Sequence, residues 1–447
     1  MASAFADVDD RPLSAFHWVA MLTTGMGVFC DGYDISSISL VLGDALRSYG
    51  VAHMASVEGG RLTAAALVGS MLGAAIFGLL GQRGRKRFYG LDVLILGVAA
   101  IAQAFMPSLG WLIACRFVLG IGVGGDYVLS PTIMAEHANK ADRGKLMAIG
   151  FGVMWPLGAL AAAVFKLCLD AFHLPPDLVW RIVLAGGAVP AFAIMYSRRA
   201  MPETARFLAC AAEEDAARAA AGAAGSPARA DWRPILRDLA AHARPIAAAT
   251  LLWFVFDLVS YAGALFGPNL IAQNLGIPSA VYSIMAYVLF QIPATLVMAW
   301  FVIDRVGRKP LQVWGFVGAA AVLVVFALMR SSPGSSPIAA LGVYLLFYVA
   351  QTGPGLVSGA GIYGVELAPT RIRSVAQSIT VFGGRIGAAI SGFAFPVLVG
   401  KVGLIPALYG LAAIAVAGAV LSKLLVPETS SRSLEDLSLQ PAPAAAL

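Results

Sequence analysis

Long apolar runs alternate with short polar connections along almost the whole chain. Twelve of these runs approach or exceed the ~20 residues that a helix needs to cross a bilayer: 14–43, 60–81, 88–107, 109–136, 144–170, 179–198, 245–273, 279–303, 310–330, 337–361, 374–399 and 402–426. The polar, Ala-rich stretch 199–244 interrupts the series. The pattern predicts an all-α membrane protein with twelve transmembrane helices and a central linker that has room for short surface helices.

The overall composition is much more hydrophobic than that of a soluble domain. The 447 residues are 59% hydrophobic and only 13% charged, whereas a soluble domain is about 25% charged. A single membrane anchor on a globular domain is therefore excluded, and the net charge of +6 reports loop composition. We expect the lipid bilayer as the surroundings of the chain and no nucleic acid as a partner.

Lysine and arginine concentrate in alternate connections. The loops after the second, fourth and eighth runs are basic, as is the central linker, whereas the connections after the third and seventh runs carry neither residue. Basic loops stay on the cytoplasmic side. We therefore expect a multi-pass protein of the plasma (bacterial inner) membrane with both termini in the cytoplasm.

The chain repeats itself at an offset of about half its length. "GRK" at 84–86 returns 223 residues later, "PET" at 202–204 returns 225 later, Asp34 is matched by Asp257, and the pair Glu136 and Arg143 is matched 230 residues later by Glu366 and Arg373. This indicates a duplicated six-helix unit. The predicted division is a bundle at 1–198, a linker at 199–244, a second bundle at 245–426 and a tail at 427–447.

Several motifs resemble those of the major facilitator superfamily over essentially the full length. "GRKR", "DRVGRK", "RFVLGIGVGG" and the two "PET" segments resemble its loop and sugar-porter signatures. "GGDYVLSPTIMAEHANKADRG" is very like the signature of the phosphate:proton symporter branch, while "DGYD" and "GGRIG" resemble aromatic-acid:proton symporters. The resemblance implies two six-helix bundles that alternately expose a midplane substrate site.

Two positions depart from the phosphate branch. That branch carries Gln in the fifth span and Asn in the tenth, where this chain has Trp155 and Gly355. Both lost amides would contact substrate. The broad Trp155 favours a flatter or more apolar substrate, such as an organic acid, over bare phosphate.

Acidic residues inside the apolar runs are the candidates for proton coupling. A charge at bilayer depth costs at least ~2.5–3.5 kcal/mol, and burial favours the neutral carboxyl group, so Asp34, Asp126 and Asp257 could carry protons. Arg116, Gly120, Gly124 and Tyr127 share one helical face, with Asp126 one residue away. We expect Arg116, Asp126 and Tyr127 to face one aqueous cavity; the alternative is a set of structural ion pairs.

Arg385 is the candidate for substrate binding. A buried guanidinium stays protonated, so a substrate anion or one of the Asp residues must neutralise it. Tyr127, Trp155, Trp253 and Tyr261 are predicted as walls of the site, and Asp31 as a further substrate contact. Asp34, Asp126, Asp257 and Arg385 are expected to share one central chamber.

The family resemblance also implies a cytoplasmic gate. In the family, acid–base clusters interlock with the "GRK" loop and hold the inward gate shut. The matching positions are Arg85, Glu136, Arg143, Asp304, Arg308, Glu366 and Arg373. Gly81 stands where the first loop motif has an Asp, and Asp304 fills the equivalent place in the second.

These features predict a proton-coupled symporter of a small anion, either an organic acid or phosphate. The chain has no ATP-binding loop or nucleophile motif, so we expect no enzymatic activity and no cofactor beyond protons as the coupling ion. A monomer is expected. A carrier of a neutral solute such as a sugar, an exporter or antiporter, and a ligand sensor without transport remain alternatives.

Overall fold

The computed structural model describes residues 5–51, 56–220, 232–267, 277–332 and 334–438, and the side chains of 217, 218 and 220 are outside this description. Twelve apolar helical segments follow one another, with no β-strand in these residues. In chain order they are α1 (Ala15–Ser48), α2 (Val57–Arg83), α3 (Leu91–Gln103), α4 (Leu109–His137), α5 (Arg143–Ala171), α6 (Pro176–Ala200), α7 (Ala243–Phe266), α8 (Ser279–Val302), α9 (Arg308–Ser331), α10 (Pro337–Glu366), α11 (Arg373–Val402) and α12 (Leu404–Leu425).

Ten of these helices are long and apolar enough to cross a membrane, judged over the described residues. The two exceptions are α1, whose middle carries Asp31 and Asp34 among Gly, Ser and Thr, and α3, whose 13 residues are about 20 Å long. Both coincide with predicted spans. The predicted end of the seventh span, at 273, lies outside the described residues.

The same helix pairs pack together in each half of the chain. α1 packs on α5 as α7 packs on α11, and the contacts of α3 with α4 and α6 recur as those of α9 with α10 and α12. This repetition confirms the two six-helix bundles predicted from the repeated motifs. α2 packs against α11, and α5 against α8, where the two bundles meet.

The spaced glycines of α4 bring it close to α2. A Cβ at Gly120 or Gly124 would overlap the backbone carbonyl of Ala66 or Ser70 on α2. On α2, Gly69 meets α4 in the same way. Small residues of this kind let transmembrane helices approach closely. The glycine face of α4 is therefore a packing face within the first bundle.

In the described part of the chain, three helices contain complete turns of π-helix. These turns are at 148–153 in α5, 286–291 and 298–302 in α8, and 355–359 in α10. A π-turn inserts an extra residue and shifts the helical face. Residues of the π-turns, including Phe151, Gln291 and Leu356, line a central cavity.

Short helices lie outside the two bundles. The helices Ala205–Ala220 and Trp232–Ala241 fall in the predicted linker, and Leu434–Ser438 falls in the tail. The remaining linker residues 221–231 and the end of the tail, 439–447, lie outside the described part of the chain.

The α2–α4 contact generates a stability prediction. Gly124→Ala should lower the melting temperature of the purified protein, because the new methyl group has to displace the Ser70 backbone; overpacking of this kind costs about 1–3 kcal/mol. Gly410→Ala on α12 is the matched control, since nothing lies within 4 Å of its Cβ position. A Gly124→Ala variant as stable as the Gly410→Ala variant would contradict this packing.

Candidate functional site

A central cavity of about 110 Å³ lies between the two bundles. Its wall is largely aromatic, with a few polar groups among the rings. The residues that line it include six of the predicted site residues, namely Tyr127, Trp155, Trp253, Asp257, Tyr261 and Arg385, together with Phe151, Phe256, Phe347 and Tyr348. The volume is several times what one water molecule needs, and suits a small solute.

Arg385 is the only basic residue among those that line the cavity in the described part of the chain. Its Nη1 donates a hydrogen bond to the Tyr261 hydroxyl and lies 3.3 Å from a carboxylate oxygen of Asp257. Its guanidinium carbon is 4.0 Å from the centre of the Tyr127 ring. Nε and Nη2 have no hydrogen-bond partner among the described residues. These two atoms form one edge of the guanidinium fork, which suits two oxygens of an anion.

Helical spacing explains how these side chains meet. Trp253, Asp257 and Tyr261 stand four residues apart on α7, so they share one helical face, and that face packs against Arg385 on α11. At the 230-residue offset that relates Glu136 to Glu366, Arg385 corresponds to Trp155. The two bundles thus supply an aromatic ring and a cation from equivalent places.

Two glutamines of the cavity were not recognised in the sequence. Gln351 accepts a 2.7 Å hydrogen bond from Ser260 through Oε1. Within the described residues, its Nε2 donor has no partner, nor does the Oε1 acceptor of Gln291. Both side chains line the cavity. Uncharged residues in a span give no sequence signal of burial, which is why they were missed.

Asp34, Asp31 and Arg116 are buried but do not line this cavity. Asp34 lies against Gly187 of α6 and interacts electrostatically with Arg116. Arg116 donates a 3.0 Å hydrogen bond to Gln103. Neither carboxylate oxygen of Asp31 or of Asp34 has a hydrogen-bond donor among the described residues. Asp31 is within electrostatic range of both Asp126 and Arg385.

Asp126 belongs to a separate buried cluster in the first bundle. It pairs with Arg198 of α6 and accepts a 2.7 Å hydrogen bond from Ser130. Arg198 also pairs with Asp92 of α3. Gly27 of α1 covers the pair, and a Cβ there would overlap both side chains. Arg198 was missed because it ends a predicted span, where a basic residue is typical of a solvated helix end.

Two expectations about this region are therefore corrected. Arg116, Asp126 and Tyr127 do not face one cavity, because the glycine face they share packs against α2 and ten residues of helix, about 15 Å, separate Arg116 from Asp126. The four residues expected to share one central chamber do not share it. Asp257 and Arg385 line the central cavity, whereas Asp34 and Asp126 are enclosed within the first bundle.

Ion pairs join the bundles at the end where the basic loops lie, here called the basic end. Glu136 of the first bundle is 2.9 Å from Arg373 of the second, and Arg143 of the first is 2.7 Å from Glu366 of the second. All four side chains are buried. The two pairs are related by the internal repeat, and each crosses from one bundle to the other.

The remaining gate residues surround these pairs. Arg85 and Arg308, from the two "GRK" loops, lie 3.3 Å from Glu136 and 3.4 Å from Glu366, respectively. Asp304 contacts Arg308 and accepts hydrogen bonds from the backbone amides of Gly144 and Lys145 at the start of α5. Burial raises the pKa of Asp304, although Arg308 opposes this effect. At the equivalent place in the other loop, Gly81 faces Ser374 at the start of α11.

The "PET" segments support the gate in a way that the sequence did not reveal. Glu203 accepts a hydrogen bond from the backbone of Lys86, and Glu428 accepts two from Arg308 and Lys309. Thr204 donates a hydrogen bond to Glu136. The "PET" segments recur after 225 residues and the "GRK" loops after 223, and this near-equal offset was the signal that could have linked the two motifs.

The opposite end of the molecule is joined differently. Thr63 donates to the backbone of Gly392, and Ser39 to that of Leu265. No ion pair crosses between the bundles there among the described residues. The contact between the bundles is thus more strongly charged at the basic end than at the opposite end.

The sequence matches the model of a family described as "Sugar (and other) transporter" over residues 19–439. Among curated relatives, a probable inorganic phosphate transporter 1-6 of Arabidopsis thaliana is 32% identical, over 95% of this chain and 93% of the relative. Inorganic phosphate transporter 1-1 of Oryza sativa subsp. japonica is 31% identical, over 98% and 96%.

The fold is similar to that of solved transporters. The major facilitator superfamily proton:xylose symporter XylE, bound to 6-bromo-6-deoxy-D-glucose, matches with a TM-score of 0.78 and 22% identity over 95% of this chain and 98% of its own. The inward-open structure of the xylose transporter XylE from E. coli has a TM-score of 0.67 at 21% identity, over 94% and 98%.

The buried ion pairs generate a second stability prediction. Glu136→Gln should lower the melting temperature markedly, because Arg85 and Arg373 lose their carboxylate; breaking a buried pair costs about 3–5 kcal/mol. Asp44→Asn, which removes an exposed pair with Arg47, is the control and should cost about 0–1 kcal/mol. The double variant Glu136→Gln/Arg373→Gln should recover part of the loss, and strictly additive losses would argue against the pairing.

Proposed function

The chain belongs to the sugar (and other) transporter family of the major facilitator superfamily, and we propose on this basis that it is a secondary transporter that carries a small anion together with protons. The solute would bind in the central cavity, and the two bundles would rock to expose it to either side of the membrane. The relatives named as phosphate transporters and the fold shared with a proton symporter support this proposal.

The unpaired edge of Arg385 is the observation that carries the proposal. A buried guanidinium with two unused donor nitrogens requires an acceptor, because leaving such donors unmet is costly. Asp257 neutralises its charge from one side, whereas Nε and Nη2 are buried without a hydrogen-bond partner among the described residues. A carboxylate or phosphate can occupy that edge with two parallel hydrogen bonds.

Proton coupling follows from the contact between Arg385 and Asp257. When Asp257 takes up a proton, Arg385 loses its neutralising partner and attracts an anion more strongly. When an anion binds Arg385, the guanidinium stabilises the charged form of Asp257 less, so protonation becomes easier. Proton and anion thus favour each other's binding by the same factor, as linkage requires.

The enclosed carboxylates of the first bundle are proposed as further proton sites. Asp34 and Asp31 have no hydrogen-bond donor among the described residues, so no hydrogen bond stabilises either charge. Asp126 differs, since Arg198 and Ser130 hold it. We assign Asp34 to proton binding and Asp126 to a paired site whose release would need the Arg198 contact to open.

The lining of the cavity favours an organic acid over inorganic phosphate. Aromatic rings surround Arg385, and Trp155 and Gly355 occupy the places where the resembled phosphate branch has amides. The free acceptor of Gln291 and free donor of Gln351 suit a hydroxyl or carbonyl group on the same solute. A small carboxylic acid with a flat body and one such polar group fits these features.

Orientation and assembly are proposed from the basic loops. The basic end would face the cytoplasm of a bacterial inner membrane, with both termini on that side, and the ion pairs there would close the inward gate. The proposal is for a monomeric carrier without enzymatic activity or a bound cofactor. Electrical driving force would add about 2.3 kcal/mol per net charge and 100 mV.

Asp257→Asn tests the coupling. Proteoliposomes that contain this variant should lose uptake against a concentration gradient under an imposed pH gradient, because the amide cannot bind and release a proton. They should retain some exchange of solute across the membrane. Asp44→Asn, at a partly exposed residue outside the cavity, should behave as the unchanged protein. Full uphill uptake by Asp257→Asn would refute the coupling role.

The substrate class is tested by thermal shift. The purified protein is exposed to phosphate, mono- and dicarboxylates, aromatic acids and hexoses, and we expect the largest stabilisation from a carboxylic acid. Arg385→Gln should abolish that shift, and Arg385→Lys should weaken it, because lysine keeps the charge but lacks the fork. Stabilisation by hexoses that survives Arg385→Gln would instead favour a carrier of a neutral solute.

A further inference from the structure

A second pocket lies on the outer surface of the first bundle, between α3 and α6 at the basic end. Its volume is about 540 Å³. Its polar wall is formed by Lys86, Arg87, Arg199 and Glu203, and its apolar wall by Leu91 and Leu94 of α3. It is separate from the central cavity, with which it shares no residue.

The charge of this pocket is positive. In the described part of the chain, the side chains of Lys86, Arg87 and Arg199 form no ion pair, and all three residues are exposed. Glu203 is the single carboxylate, and one of its oxygens already accepts a hydrogen bond of 3.1 Å from the backbone of Lys86. Three cations therefore surround a space with one engaged anion.

An exposed apolar track leads away from the pocket along α3. Leu91, Leu94, Val98, Ile101 and Phe105 are all exposed and recur every three or four residues, continuing just beyond the end of α3. This spacing places residues on one side of a helix. In a membrane-spanning chain such a side contacts lipid acyl chains, so the pocket lies where the acyl region meets the polar head groups.

We propose that this pocket binds an acidic phospholipid. The anionic head group is held by Arg87, Arg199 and Lys86, and one acyl chain lies along Leu91, Leu94 and Val98. Basic pockets between transmembrane helices suit such head groups, and the planar guanidinium groups match phosphate oxygens in pairs. The proposal does not depend on which solute the central cavity carries.

The second bundle provides an internal comparison. At the 223-residue offset of the "GRK" loops, Arg87 corresponds to Pro310, and at the 225-residue offset of the "PET" segments, Arg199 corresponds to Leu424. Lys309 alone is retained, in place of Lys86. The repeat therefore preserves the gate residues but not the two arginines, so the cations of the first bundle are not a by-product of the duplicated fold.

The pocket adjoins the gate. Glu203 holds the "GRK" loop through Lys86, and the next residue, Thr204, donates to the gate carboxylate Glu136. A head group bound to Lys86 and Arg199 therefore contacts the "GRK" loop and the end of α6, just before the "PET" segment. Bound lipid should therefore stabilise the conformation in which ion pairs join the two bundles at the basic end.

Native mass spectrometry of the full chain released from detergent tests the proposal. Phosphatidylglycerol should be retained, and phosphatidylcholine, whose head group is zwitterionic, should be retained much less. Arg87→Gln/Arg199→Gln should weaken phosphatidylglycerol retention roughly 25-fold, since each cation near an acidic head group contributes about a factor of five. Arg305→Gln/Lys423→Gln removes two exposed cations from the second bundle and should leave retention unchanged.

Three outcomes would overturn the proposal: equal loss in both double variants, equal retention of the two lipids, or displacement of phosphatidylglycerol by excess inorganic phosphate, which would make the pocket a phosphate site. Arg87→Lys/Arg199→Lys guards against misfolding, because it keeps both charges. This variant should retain more lipid than Arg87→Gln/Arg199→Gln and melt at the same temperature as the unchanged protein.

Discussion

Neutralising buried arginine is the constraint on which this structure depends. Eight arginines are almost completely buried in the described residues, at positions 85, 116, 143, 198, 206, 308, 373 and 385. A buried guanidinium stays protonated, so each of these arginines needs a partner that neutralises its charge or accepts its hydrogen bonds. Seven form ion pairs with buried or partly buried carboxylates, and Arg116 instead bonds Gln103 and interacts with Asp34. The helix that carries each arginine's partner determines which helices stay together and which can separate.

The arginine pairs fall into two functional kinds. Arg198 binds Asp92 and Asp126 within the first bundle, so this cluster holds three helices of one rigid unit together. Arg143 and Arg373 bind carboxylates of the opposite bundle, so their pairs must break whenever the basic end opens. A carrier needs both kinds, because rigid bundles rock only if the contacts between them are reversible.

In the proposed function, Arg385 is the exception that attracts an anion to the cavity. Its partner Asp257 takes one side of the guanidinium, and the Tyr127 ring packs against it. Low dielectric strengthens each remaining interaction, which is why the proposal assigns the selection of a charged solute to this unmatched edge. Trp155 stands at the repeat-related position and forms part of the cavity wall. The two copies of the duplicated unit have therefore diverged at this position, one to a cation and the other to an aromatic ring.

The sequence alone determined the helices, their number, the two-bundle repeat and the identity of most charged residues that matter, because apolar length and helical spacing are local properties. It also identified the cavity residues of α7, whose four-residue spacing fixes a common face. Only the tertiary structure decided that Asp126 pairs with Arg198, that Arg116 faces Gln103, and that Gln291 and Gln351 line the cavity. Those outcomes depend on how neighbouring helices are rotated about their axes, and close packing between helices sets that rotation.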